Sequence, residues 1–285
     1  MDYVTLSNGL KMPQLGYGVF QVKQEECERC VMDALSVGYR SIDTAQIYGN
    51  EAQVGSAIQK SGVPREEIFL TTKVWPSRFG DGTTRKSVYD SMERLRTDYL
   101  DLVLLHHPFS DIYGAWRDLE ALYEEGVVRA IGVSNFYEDR LIDLLSFNTM
   151  RPMVNQLELH PYYQREELLR WTRKYGVQPE AWAPFGEGKG GLFKDSVLVS
   201  VGKKYGKTSA QVTLRWNLQR GVVVIPKSTH IERMRENLDV FDFVLTDEDM
   251  AVISALDKDK TAFMSYRDPE IVEVYAKRCR PGHEY

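Results

Sequence analysis

Cysteine is scarce in this chain: three in 285 residues, at Cys27, Cys30 and Cys279. An odd, sparse set cannot make a disulfide framework and fits a reducing compartment. A cytoplasmic setting is expected. The opening Met1-Asp2-Tyr3-Val4-Thr5 carries no basic region followed by an apolar stretch, so no secretory signal is expected. No window reaches the roughly 18 apolar residues of a membrane span. A basic excess is missing too. The net charge is −5, which argues against a nucleic-acid partner, because that binding needs a cationic face to release counterions. Zinc ligands are lacking: Cys27 and Cys30 form a C-x2-C inside a helical pattern, with no further ligand at short spacing, so no metal is expected. No linker or low-complexity run divides the chain. One domain, residues 1–285, is expected, with no heptads or long exposed apolar run to demand a partner; a monomer is the default.

The chain does have an alternation. Short apolar runs recur at Arg40–Asp43, Ile68–Trp75, Leu100–His106, Val127–Ser134, Met153–Leu157, Val177–Trp182 and Val222–Lys227, with an eighth near Leu15–Val19. Each is bounded by Gly, Pro or charge, the pattern of buried parallel strands. Amphipathic helices lie between them. Val88, Met92 and Leu95 fall at i, i+4, i+7. Gly126 ends a helix over 115–125, and Thr208 and Thr246 stand as N-caps. Eight β/α units mean a (β/α)8 barrel or a doubly wound sheet. Asn8-Gly9, between Val4-Thr5-Leu6 and Leu10-Lys11-Met12, predicts a hairpin with a type I′ turn, which would cap the floor of a barrel.

Polar residues end these runs: Asp43, Lys73, His106, Ser134-Asn135, Asn155-Gln156, Trp182 and Lys227-Ser228. In a barrel they converge on the catalytic face. Two phosphate-binding patterns fail. Gly16-Tyr17-Gly18 lacks the third glycine of a Rossmann fingerprint, and Gly206-Lys207-Thr208 lacks the first glycine of a P-loop.

Six segments carry a resemblance: Gly38–Ala45 with Tyr48-Gly49-Asn50-Glu51, Thr72–Trp75, Leu104–His106, Ile131–Phe136, Asn155–Pro161 and Ile225–Ser228. In this order they resemble the aldo-keto reductases over essentially the full length, in a compact bacterial branch that includes diketogluconate reductases. The resemblance implies a (β/α)8 TIM barrel, carbonyl reduction and NADPH. It assigns a catalytic tetrad to Asp43, Tyr48, Lys73 and His106. In that assignment Tyr48 is the proton donor, Lys73 lowers its pKa, Asp43 orients Lys73, and a neutral His106 positions the carbonyl oxygen.

For the cofactor, the resemblance places Ser134, Asn135 and Gln156 on the carboxamide and Trp182 on the nicotinamide ring. Ala183 stands where many members have Ser. Pro184, Phe185 and Gly186, continuing to Gly188, would cover the pyrophosphate. Lys227, Ser228 and Arg233 match a 2′-phosphate site, with Glu236 and Asn237 near the adenine. Two cations there favour NADPH over NADH.

Phe20, Trp75, His106, His107 and Phe109 are the expected substrate walls, with Tyr17 and Trp116 as further candidates. His107 departs from the Trp or Gln of relatives. About 28 residues after the last expected helix suggest an open pocket. The rival class is a non-catalytic, NADPH-holding barrel acting as a sensor or partner protein. A further enzyme reading runs the same site as an alcohol oxidation.

Overall fold

The structure, a computed structural model, describes residues 2–80 and 82–279. Of the expected domain, Met1, Asp81 and residues 280–285 lie outside that range. Two short strands, β1 (Tyr3–Thr5) and β2 (Lys11–Pro13), pair antiparallel. Eight parallel strands follow: β3 (Tyr17–Gly18), β4 (Ser41–Asp43), β5 (Phe69–Val74), β6 (Leu102–Leu105), β7 (Ile131–Ser134), β8 (Val154–Glu158), β9 (Gln178–Trp182) and β10 (Val223–Val224). They lie in chain order, each beside the next.

The ring closes where Leu15 bridges Val224 in parallel. Gly16 N donates to Val224 O at 2.8 Å and Val224 N to Gln14 O at 3.0 Å. Closure decides between the two architectures left open by the alternation: a doubly wound sheet has two free edges, and this sheet has none.

Strand periodicity sorts the side chains. On β6, Leu102 and Leu104 point one way and Val103 and Leu105 the other. The first pair joins Leu6, Met12, Phe69, Ala130, Met153, Val154 and Val223 in a cluster at the amino ends of the strands. The second pair joins the main core with Ile42, Leu70, Ile131 and Val133, against helix residues such as Val88 and Leu119. Leu6 and Met12 come from the hairpin, which therefore caps the barrel floor. Gly132 is required by this layer: a Cβ there would lie 2.6 Å from Val154 O and 2.7 Å from Leu104 Cδ2.

The local signals largely hold. Thr208 and Thr246 each form a reciprocal capping box, with Gln211 and Asp249. Val88, Met92 and Leu95 are the buried stripe of the helix Thr83–Leu95. Other details differ. The hairpin turn is not type I′: Gly9 has φ 87°, but Asn8 is not among the positive-φ residues. Gly9 N bonds Leu6 O at 2.9 Å and Leu6 N bonds Leu10 O at 2.9 Å, a three-residue loop with glycine in the left-handed position. The run from Val127 pairs as a strand only from Ile131, because Val128 makes a lone bridge to Leu100. An additional helix, Ser196–Tyr205, precedes Ser209–Gln219. The carboxyl-terminal stretch is no open tail either: it folds into the helix Pro269–Arg278, with Pro269 at its start and an Asp268 cap.

Candidate active site

The carboxyl ends of the strands carry the expected residues. On β5, alternation sends Lys73 inward and Thr72 outward, where Thr72 Oγ1 meets Glu51 Oε1 of an outer helix at 2.6 Å. Lys73 is completely buried. Its Nζ lies 2.5 Å from Asp43 Oδ1, 2.9 Å from Thr44 O and 3.5 Å from Tyr48 Oη. Tyr48 sits in a 3-10 turn, Gln46–Tyr48, just after β4. Gln46 pins that turn: its Nε2 donates to Ser87 O at 3.0 Å, and its Oε1 accepts from Trp75 N at 3.1 Å. His106 follows β6, its N bonding Val74 O at 3.0 Å. The Tyr48 and His106 rings meet edge-on, 5.7 Å apart. Asp43, Tyr48, Lys73 and His106 therefore form one cluster.

Burial and charge set its protonation. Burial pulls the Lys73 ammonium down, but Asp43 and Tyr48 outweigh it, so its pKa is raised and it stays charged. Burial, then His107 and Lys73, hold His106 well below its ordinary range. Its Nδ1 is buried without a partner, and the residue lines the cleft. Tyr48 departs from the expectation of a lowered pKa. Burial raises it to about 12; Lys73 opposes this, and Asp43 adds to it. The hydroxyl is a fully protonated acid at neutral pH.

A cleft of about 670 Å³ opens over the cluster. Its walls include Phe20, Trp75 and His107, and it runs past Ser134, Asn135, Gln156, Trp182, Ala183, Pro184 and Phe185 to Lys227 and Arg233. Phe20 packs on Tyr48, ring to ring at 4.9 Å. Asn135 Nδ2 donates to His106 O at 3.1 Å, and its Oδ1 accepts from Trp182 Nε1 at 2.9 Å. Asn135 and Ala183 hold φ of 65° and 45°, left-handed conformations that a side chain disfavours and that cluster at functional sites. Lys227 and Arg233 are exposed and make no ion pair among the described residues. Two unpaired cations at the end of one groove fit a phosphate monoester, and the groove as a whole fits a phosphorylated dinucleotide.

Some expected residues lie elsewhere. Phe109 lines a neighbouring cavity and meets this cleft through the Tyr275, Tyr266 and His107 rings, 5.2, 5.8 and 6.3 Å away. Gly186, Ser228, Glu236 and Asn237 do not line the cleft. Ser228 instead gives its carbonyl to Tyr17 Oη at 2.6 Å, and Glu236 accepts from Thr208 Oγ1 at 2.6 Å. Tyr17 and Trp116 are fully buried and reach no cleft: Tyr17 packs on Tyr39, and Trp116 Nε1 bonds Glu120 and Met150 O.

The carboxyl-terminal stretch adds walls that the sequence reading missed. Tyr266 and Tyr275 enclose His107 at ring distances of 5.3 and 4.7 Å, and Phe263 covers Trp182 at 5.1 Å. Glu158 ties this stretch down, accepting from Thr261 Oγ1 at 2.5 Å and Ala262 N at 2.7 Å. Phe263, Tyr266 and Tyr275 thereby line the cleft. The density of aromatic residues after Phe263 was the available signal.

A model of the aldo/keto reductase family matches residues 6–258. The chain belongs to the aldo/keto reductase family. It is 49% identical over 261 residues to a glyoxal reductase of Bacillus subtilis, covering 91% of this chain and 94% of that one. It is 42% identical over 260 residues to the methylglyoxal reductase DkgA of Escherichia coli, covering 90% and 94%. A crystal structure of an aldo/keto reductase from Brucella melitensis superposes with TM-score 0.87 at 45% identity, covering 90% and 99%. One from Bombyx mori, in complex with NADP, superposes with TM-score 0.89 at 31% identity, covering 94% and 99%. The barrel read from the strands is thus the fold of these reductases.

Proposed function

We propose that this chain is an NADPH-dependent oxidoreductase that reduces aldehydes or ketones to alcohols. The observation that carries the reading is the Lys73 ammonium, bonded to Asp43 and within reach of the Tyr48 hydroxyl, at the base of a cleft that ends in two exposed cations, Lys227 and Arg233. NADPH, when bound, supplies the hydride. Ser134, Asn135 and Gln156 would hold its carboxamide, Trp182 would cover its ring, and Lys227 and Arg233 would take its 2′-phosphate.

The protein's own work is electrostatic and acid–base. Tyr48 holds the proton that the developing alkoxide takes. Lys73 stabilises the phenolate left behind, and Asp43 keeps Lys73 charged and aimed. His106, neutral, donates through Nε2 to the carbonyl oxygen and fixes its position. The opposite direction, alcohol oxidation, uses the same groups, with metabolite ratios deciding flux. The non-catalytic alternative has no feature in its favour, since the tetrad is intact and assembled. The odd cysteine count and the net charge of −5 support a cytoplasmic, single-domain monomer without a nucleic-acid partner.

NADPH oxidation at 340 nm is the test, run beside NADH on a panel that includes glyoxal, methylglyoxal and simple ketones. Turnover with NADPH, lost in Tyr48→Phe while NADPH binding persists, is expected. Tight NADPH binding with no turnover on any carbonyl would instead favour the non-catalytic barrel.

A further inference from the structure

Below the tetrad lies a carboxyl group with no part in this mechanism. Glu180, on β9, is 1% exposed. Gln156 connects it to the site: Gln156 Nε2 donates to Glu180 Oε2 at 2.9 Å and to Asp43 Oδ2 at 2.9 Å. An amide nitrogen has two hydrogens, and both go to carboxyl oxygens. The amide oxygen is left as the only acceptor that Gln156 can offer to a ligand. Asp43 in turn spends Oδ1 on Lys73. A continuous chain, Lys73–Asp43–Gln156–Glu180, thus crosses the barrel interior from β5 and β4 to β8 and β9.

The charges in this chain do not balance if both carboxyls ionise. Lys73 is the one ammonium, and His106 and His107 are held neutral. Asp43 and Lys73 are the charged groups that act on Glu180. Its register neighbours, Val223 on β10 and Gln156 on β8, carry none. Burial first, then Asp43, raise the Glu180 carboxyl to about 8, with Gln156 and Lys73 opposing. At neutral pH burial and the neighbouring carboxyl group favour Glu180 as the neutral acid.

We propose that Glu180 is a positioning residue for the tetrad: it orients the Gln156 amide toward the ligand, and its charge state sets how far into alkaline pH Tyr48 can donate its proton. This rests on the reductase reading above. In reduction the hydride adds to the carbonyl carbon, the π pair moves to oxygen, and oxygen takes the Tyr48 proton, leaving a phenolate that solvent reprotonates. With Glu180 neutral, that phenolate forms beside a balanced Lys73–Asp43 pair. With Glu180 ionised, it forms beside an extra buried negative charge, and the step slows.

The decisive comparison is the pH profile of reductive kcat in wild type and Glu180→Gln. Glutamine keeps the shape and an acceptor oxygen for Gln156 but cannot ionise. Wild-type kcat should fall by about fivefold or more between about pH 7 and pH 9, while the Glu180→Gln profile falls by less than about twofold. Glu180→Ala, which releases the Gln156 amide, should raise the NADPH Kd by about fivefold or more, and Glu180→Gln should largely restore it. Identical alkaline limbs in wild type and Glu180→Gln would overturn the proposal.

A second readout needs neither turnover nor a stable variant. The infrared carbonyl band of a protonated carboxyl should be present in the unliganded wild-type protein at about pH 7 and lost by about pH 9. Its absence at neutral pH overturns the proposal even if the enzyme reduces every carbonyl offered. Its presence in a protein that reduces none leaves Glu180 as placed here and defeats only the reductase reading.

Discussion

Replacing Asp43 by asparagine isolates the cost of the buried cation. Lys73 has no solvent access, and its counter-ion lies 2.5 Å away with 4% of its side chain exposed. In Asp43→Asn, the ammonium is left with neutral acceptors alone: the introduced amide oxygen, the Thr44 carbonyl at 2.9 Å and the Tyr48 hydroxyl at 3.5 Å. Removing one partner of a buried pair leaves an uncompensated charge, at a cost of about 3–5 kcal/mol. The structure supplies partial relief. Loss of the Asp43 charge removes one of the causes holding Glu180 protonated, so Glu180 can ionise and balance Lys73. The destabilisation should therefore be greatest near about pH 5 and smaller near about pH 8.

Urea unfolding followed by tryptophan fluorescence at the two pH values measures this. The double variant Asp43→Asn/Glu180→Gln has no carboxylate left for Lys73. It should lose at least about 1 kcal/mol more at the higher pH than the single variants add up to. An Asp43→Asn protein within about 1 kcal/mol of wild type near pH 5 would refute the claim that Asp43 carries the buried ammonium.

Other outcomes follow from the same geometry. Tyr48→Phe removes the proton donor but not the cleft, so kcat should drop by about 10²–10⁴ with NADPH Kd, read by fluorescence, nearly unchanged. Lys227→Ala with Arg233→Ala should weaken NADPH by about 10- to 100-fold, from lost charge-assisted bonds, and leave NADH within about threefold. His107 is held to about 3 by burial and by Lys73, below its unfolded value, so the unfolded chain binds more protons in between. Stability should be fully present above about pH 6.5 and fall progressively toward pH 3. His107→Asn should flatten the part of the melting-temperature decline due to His107; an unchanged decline would show that His107 is not held neutral. Removal of Glu180's ionisation acts in the opposite window. Its pKa is raised, so wild-type stability falls as pH rises from about 4.5 to 8, and Glu180→Gln should gain melting temperature relative to wild type across that range.

What the sequence determined by itself is what neighbouring residues decide. The capping boxes at Thr208 and Thr246 need only residues three apart. The apolar stripe Val88–Met92–Leu95 needs only the helical repeat. Strand alternation puts Lys73 and Thr72 on opposite faces, and parallel strands bring Asp43, Lys73, His106 and Gln156 to one end of the barrel. Asp43, Lys73 and His106 were legible because each sits at a strand end; Tyr48, in the turn after β4, entered only through the family resemblance.

Tertiary structure decided whatever depends on distant partners. The hairpin turn left the type I′ form in the context of its contacts, with Asn8 Nδ2 reaching Arg129 O at 2.9 Å. Tyr275 of the final helix lines the cleft, and Glu158, some hundred positions earlier, holds Thr261 and Ala262 in the stretch that leads to it. Phe109 faces another cavity because Tyr275 and Tyr266 stand between. Tyr48 is a weaker acid than its neighbour Lys73 suggests, since desolvation, invisible in a sequence, exceeds the attraction of one cation. Glu180 reads along the chain as one acid in an apolar run. It gains its part only where closure of the ring sets β9 opposite β4 and leaves two carboxyl groups to share one ammonium.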